Sequence, residues 1–85
     1  MQQFTYTITD PIGIHARPAG LLVKAAKALD SAVTIQKGDK AVSATKLMNL
    51  MGMGIKQGDQ ITVTIEGGDE EGSRKAMEQF FQENL

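Results

Sequence analysis

The chain has one histidine, and it lies in the run Gly13-Ile14-His15-Ala16-Arg17-Pro18-Ala19, between an alternating segment and a helix-like one. That placement matters because the first backbone N–H groups of a helix have no intrahelical partner. The macrodipole adds roughly half a positive charge there. With His15 at or near the N-cap, the N–H groups of Ala16 and Arg17 point toward the space beside the ring. Pro18 has no N–H, and in a first turn it removes no needed bond. Two backbone donors and a guanidinium make a receptor for a dianionic phosphoryl group. An imidazole beside them is a nucleophile able to carry that group. His15 and Arg17 are therefore the candidate chemical residues, with Ala16 and Arg17 as candidate phosphate binders. The run also contains a conflict. A residue before proline is biased away from the αR region, which strains Arg17 or leaves it just outside the helix.

Two other chemistries ask for more than the chain offers. A zinc site needs about four ligands, and with one His and no Cys only carboxylates remain. A Ser–His–Asp hydrolase has its residue types, but 85 residues leave little room for a substrate cleft. No metal and no cofactor are expected.

These residues need a small scaffold. Eighty-five residues make one domain, 1–85, near the lower size limit for a self-sufficient core. There is no cysteine to staple it or to act as a thiol nucleophile. The apolar share of 41% is ordinary for a globular chain, and the net charge of −1 gives no support for a nucleic-acid partner or for disorder. Met1-Gln2-Gln3-Phe4-Thr5 lacks the basic and apolar segments of a signal peptide. No stretch approaches the roughly 20 apolar residues of a membrane span, so no membrane insertion is expected. A soluble cytoplasmic protein that works on its surface is the default reading.

The elements that hold His15 follow from periodicity. Phe4, Tyr6 and Ile8 alternate with Thr5, Thr7 and Thr9 in a half-buried strand ended by Asp10-Pro11. From Ala19 to Leu29 the period changes, with Ala19, Leu22, Val23, Ala26 and Leu29 on one helical stripe. Val33 and Ile35, the Lys37-Gly38-Asp39 turn and Lys40 to Ser43 read as a hairpin. Thr45 to Met53 reads as a short helix stopped by Gly52 and Gly54. Ile61, Val63 and Ile65 alternate in a strand from Gln60 to Glu66. Asp69 then caps a last helix, whose core stripe is Met77, Phe80 and Phe81 and whose start is weakened by Gly72. The order β-α-β-β-α-β-α predicts one four-stranded, largely antiparallel sheet with helices on its apolar face. A split βαβ arrangement of the ferredoxin-like kind is left open.

The first helix also has an outward face. Arg17, Gly20, Leu21 and Lys24 lie opposite the core stripe, with Lys27 at its margin. A helix as short as Thr45 to Met53 cannot bury Met48, Met51 and Met53 all at once, and Met is common on adaptable binding surfaces. Leu21 and this helix together would form an apolar patch rimmed by Arg17, Lys24, Lys27 and Lys46. Such a patch suits transient docking to partners with acidic margins.

The Gly13–Ala19 run, at this place in a chain of this size, resembles the active site of HPr, the histidine-containing phosphocarrier of the bacterial sugar phosphotransferase system. The resemblance extends along the whole chain, through the Lys37-Gly38-Asp39 turn and Leu47-Met48-Asn49-Leu50-Met51-Gly52-Met53-Gly54-Ile55. It implies an α+β open-faced β-sandwich, a four-stranded largely antiparallel sheet covered on one face by three helices. It implies that His15 takes a phosphoryl group on Nδ1 from phospho-enzyme I, charged by phosphoenolpyruvate. His15 then gives it to a histidine on the A domain of a sugar-specific enzyme II. Arg17 matches the phosphate-coordinating partner. Leu21, Lys24, Lys27, Leu47, Met48 and Met51 match positions of the docking face. A monomeric carrier, with no independent catalysis, is the implied form. The alternative is an HPr-like regulatory or interaction module in a dedicated phosphorelay, without bulk sugar transport. Two positions depart from the pattern. Ile12 stands where the family often has Asn or Ser. Lys46 stands where HPr of many Gram-positive bacteria has the serine phosphorylated by a regulatory kinase.

Overall fold

The computed structural model describes residues 1–85. Its elements are β1 (Gln2–Thr7), α1 (Ala16–Lys27), β2 (Ala32–Lys37), β3 (Lys40–Ser43), α2 (Leu47–Gly52), β4 (Gln60–Glu66) and α3 (Glu70–Asn84). The strands form one sheet in the order β1-β4-β2-β3, and every neighbouring pair is antiparallel. β1 and β2 both pair antiparallel with β4, so they run the same way with β4 between them. The β1–α1–β2 crossover is thus a split βαβ unit, and α1 begins after β1 because the chain must cross β4 to reach β2.

Alternation sorts the two sheet faces. Val33 and Ile35 lie opposite Ile65 and Val63, and Phe4 and Tyr6 lie opposite Val63 and Ile61. Thr5 pairs with Thr62 and Thr34 with Thr64 on the polar side. The three helices cover the apolar side. Ala19, Leu22 and Ala26 of α1, Leu50 of α2, and Met77 and Phe81 of α3 join the buried strand residues in one core. Phe81 anchors α3 over β1 through edge-to-face contacts with Phe4 and Tyr6, at centroid separations of 6.1 and 5.4 Å. Burying a side chain such as Leu22 stabilises the fold by about 1.5–3 kcal/mol, which fixes the rotation of α1 and therefore the direction its first turn faces.

Helix boundaries differ from those read by periodicity. α1 starts at Ala16, before the apolar stripe, and Arg17 is inside it despite the following proline. α2 spans six residues and not Thr45 to Met53: Lys46 is its extended N-cap (φ −110°, ψ 94°), its carbonyl accepting from the Leu50 N–H at 3.0 Å, after a turn closed by the Lys46 N–H on the Ser43 carbonyl at 3.1 Å. Its last residue is Gly52, and Met53 turns into the core. Asp69 caps α3 by accepting from the Gly72 N–H at 3.1 Å. Gly72 costs helix propensity, yet a Cβ there would crowd the capping carboxylate.

Candidate functional site

The segment between β1 and α1 is fastened from two directions. The Ile14 N–H donates to the Ile55 carbonyl at 3.1 Å, and the Ile8 and Gly58 N–H groups bond the Asp59 and Ile8 carbonyls at 2.9 and 2.8 Å. The loop that supplies these partners is itself held by Asp59. Its carboxylate accepts from the Lys56 N–H at 2.8 Å and pairs with Lys37 at 2.8 Å, and Lys37 also donates to the Gly54 carbonyl at 3.1 Å. The Lys37 ammonium, and after it the Lys56 N–H, hold the Asp59 carboxyl below its ordinary range. From the other direction, the Thr9 and Asp10 N–H groups and the Thr9 hydroxyl all donate to the Leu85 carbonyl, at 2.6, 2.9 and 2.9 Å. The end of α3 is thereby tied to the approach to His15.

Between these anchors the chain turns on Asp10. Its carboxylate accepts from the Ile12 N–H at 2.8 Å and its carbonyl from the Gly13 N–H at 3.0 Å. Gly13 has φ +79°, and a Cβ there would lie on the Ile55 carbonyl oxygen and 2.7 Å from the Lys56 Cα. Neither obstacle is a flexible side-chain end, so the backbone would have to move. We expect Gly13→Ala to destabilise the protein by about 2 kcal/mol or more in urea unfolding. Gly20→Ala, in open space in mid-helix, should be neutral or stabilising by up to about 1 kcal/mol. Equal stability of the two variants would show that the turn is not constrained in this way.

His15 is the N-cap of α1, with φ −110° and ψ −173°. Its carbonyl accepts from the Ala19 N–H at 2.9 Å, while its half-buried side chain makes no capping bond, which leaves both ring nitrogens available. The Ala16 and Arg17 N–H groups make no hydrogen bond. Pro18 is buried in the first turn, where its missing N–H costs nothing. Arg17 is exposed and forms no ion pair. His15, Arg17, Pro18 and Leu21 line an open depression of about 270 Å³, together with Asp10 and, from α3, Glu83 and Asn84. That is smaller than the roughly 300–1,000 Å³ of ordinary small-molecule sites. A wider hollow of about 500 Å³ between β3 and α2 has Asp39 and Lys40 as its only charged residues and contains no histidine.

The candidate docking residues are on the surface. Lys24 and Lys27 are exposed on α1, and Leu21, Leu47, Met48 and Met51 are among the most exposed large apolar residues of the chain. α2 packs beside α1. Met53 is buried and does not take part. Sequence reasoning missed Asp10, Glu83 and Asn84 as neighbours of His15. Asp10 carried only the signal of a strand end, and no spacing pattern links α3 to a residue near the other end of the chain. No helix is long and apolar enough to cross a membrane.

Comparison with known proteins gives one consistent result. The family model described as the PTS HPr component phosphorylation site matches residues 2–83. The phosphocarrier protein HPr of Lysinibacillus sphaericus is 39% identical over 77 residues, which cover 91% of this chain and 88% of that protein. The solved histidine-containing phosphocarrier protein of Mycoplasma superposes with a TM-score of 0.92 at 36% identity, covering 96% of this chain and 93% of that one. Crh of Bacillus subtilis, a catabolite-repression protein solved as a swapped dimer, superposes with a TM-score of 0.77 at 30% identity, covering 100% and 98%.

Proposed function

This chain belongs to the PTS HPr family of phosphocarriers, and from that premise we propose that His15 accepts a phosphoryl group from phospho-enzyme I and passes it to the A domain of a sugar-specific enzyme II. The observation that carries this reading is the only histidine of the chain at the N-cap of α1, its ring unbound, beside two free N–H groups and an unpaired arginine. In the forward step the Nδ1 lone pair of His15 attacks phosphorus. The bond from phosphorus to enzyme I breaks, and its electron pair leaves with enzyme I. The Ala16 and Arg17 N–H groups and the Arg17 guanidinium bear the charge of the transferring group, which has little covalent demand on the protein beyond position and electrostatics. Asp10 and Glu83 place negative charge in the same depression. Like charges destabilise a bound dianion, which helps the group move on to the acceptor. The second step is the reverse of the first with the A-domain histidine as nucleophile. The protein turns over no substrate of its own and works as a single cytoplasmic domain, 1–85, in monomeric form.

Both partners use one docking face, centred on Leu21, Met48 and Met51 with Leu47 beside them and Lys24 and Lys27 at the rim. A carrier must release each partner quickly, so the interface is near or below about 1,200 Å². Amide shifts on adding enzyme I or an A domain should cluster on α1 and α2. Shifts centred on Met77 and Phe80 of α3 would contradict this.

Lys46 is the N-cap of α2. A lysine takes no phosphate from a serine kinase. The nearby hydroxyls of Ser43 and Thr45 are bonded to each other at 2.8 Å, and Ser43 is still in β3. Incubation with the family's regulatory kinase and ATP should leave the mass unchanged. One phosphate on Ser43 or Thr45 would show that regulation survives through a shifted site.

The relay is tested by mixing phosphoenolpyruvate, enzyme I and an A domain with and without this chain. Phosphorylation of the A domain should require the chain. An A domain charged equally well without it, or never charged with it, would refute the function.

A further inference from the structure

Ile12 is 68% exposed. A lone exposed apolar side chain ordinarily needs no explanation. This one differs in how it is held and where. Its N–H is pinned by the Asp10 carboxylate at 2.8 Å, and the next residue is locked by the Asp10 carbonyl and by close packing on the Ile55 carbonyl. A β-branched side chain on such a turn has few rotamers to lose when a surface closes on it. Its position relative to the acceptor is equally constrained. Three peptide steps of about 3.8 Å keep the Ile12 Cα within about 11 Å of the His15 Cα. A transient interface of about 1,200 Å² covers about 600 Å² on each partner, a disc of about 14 Å radius. The docking face must reach His15 for the group to move, and a partner group meeting His15 is within that radius of Ile12.

The charges around it decide what that partner brings. The cations of this surface, Arg17, Lys24, Lys27 and Lys46, are all on or just before α1 and α2. The Asp10 carboxylate is committed to the Ile12 N–H, and Arg17 lines the same depression as Asp10. A partner carboxylate brought against Ile12 would meet the Asp10 charge and give up water for an apolar side chain. An apolar surface loses nothing.

We propose that Ile12 is a specificity-determining contact of this carrier, seated in an apolar hollow beside the reactive histidine of its phosphoryl partners, so that partners with an apolar margin there are preferred over those with an acidic or polar one. The inference rests on the phosphocarrier reading above. It separates the recognition surface into an acidic region of the partner facing α1 and α2, and an apolar spot facing the turn before His15.

The test is a three-way comparison of wild type, Ile12→Ser and Ile12→Val with enzyme I and an A domain from the same cell. Phosphoramidate, a small donor that needs no docking, serves as the control for the chemistry of His15. Ile12→Ser should raise the KM for both proteins by at least about tenfold, with kcat and the phosphoramidate rate within about twofold of wild type. Ile12→Val should keep KM within about threefold, since it retains most of the apolar contact. An unchanged KM for Ile12→Ser overturns the inference and leaves the phosphocarrier function standing. So does a phosphoramidate rate that falls as much as the enzyme I rate, which would mean that Ile12 acts on the ring and not on the partner. Failure of the wild type itself to accept from enzyme I refutes the carrier function, and the inference with it.

Discussion

A His15→Ala variant mixed with enzyme I and phosphoenolpyruvate will show no added phosphate by intact mass, under conditions in which the wild type is fully charged. The loss is complete because nothing else can stand in. The chain has no second histidine and no cysteine, and His15 is the nucleophile beside the free N–H groups at the start of α1. The same variant should remain folded. The His15 side chain makes no capping bond, and the bond from its carbonyl to the Ala19 N–H belongs to the backbone and survives the substitution. Urea unfolding should therefore move by no more than about 1 kcal/mol. Full phosphorylation of the variant would place the acceptor elsewhere.

Arg17→Ala should separate chemistry from stability. Arg17 is exposed, forms no ion pair and is in the first turn of α1, so its removal should change stability by under about 0.5 kcal/mol. In the proposed transferring state a guanidinium bond to the phosphoryl group is worth about 1.5–3 kcal/mol, and losing it should slow transfer by about ten- to a hundredfold. Arg17→Lys should recover part of the rate and not all, because a point charge replaces a planar fork. A collapse in melting temperature with normal transfer would show that Arg17 is structural.

The candidate phosphate-binding segment was legible because it is contiguous. His15, Arg17 and Pro18 carry their meaning in their spacing, and a helix N-terminus is a local feature. The strands were legible for the same reason, since Ile61, Val63 and Ile65 alternate and are all buried. The start of α1 was not, because Ala16 to Pro18 form a first turn that need not follow the core stripe, and the bias of a residue before proline yielded to the helix. The short extent of α2 escaped for a related reason. The Ser43 carbonyl and hydroxyl bind the backbone N–H groups of Lys46 and Thr45, and this competing turn has no periodic signature. Asp10 is brought beside His15 by its own turn, and Glu83 and Asn84 line the depression where the Leu85 carbonyl, accepting from Thr9 and Asp10, ties the end of α3 to it. That is a tertiary bond between distant parts of the chain, and no local pattern announces it.

The most direct measurement of the central claim is the mass and chemical stability of the wild type after incubation with enzyme I and phosphoenolpyruvate, followed by assignment of the modified atom by NMR. One phosphate per chain is expected, labile in acid and stable in alkali, with its coupling on Nδ1 of His15. An unmodified protein, or a phosphate that survives acid on a serine, threonine or tyrosine, would contradict it.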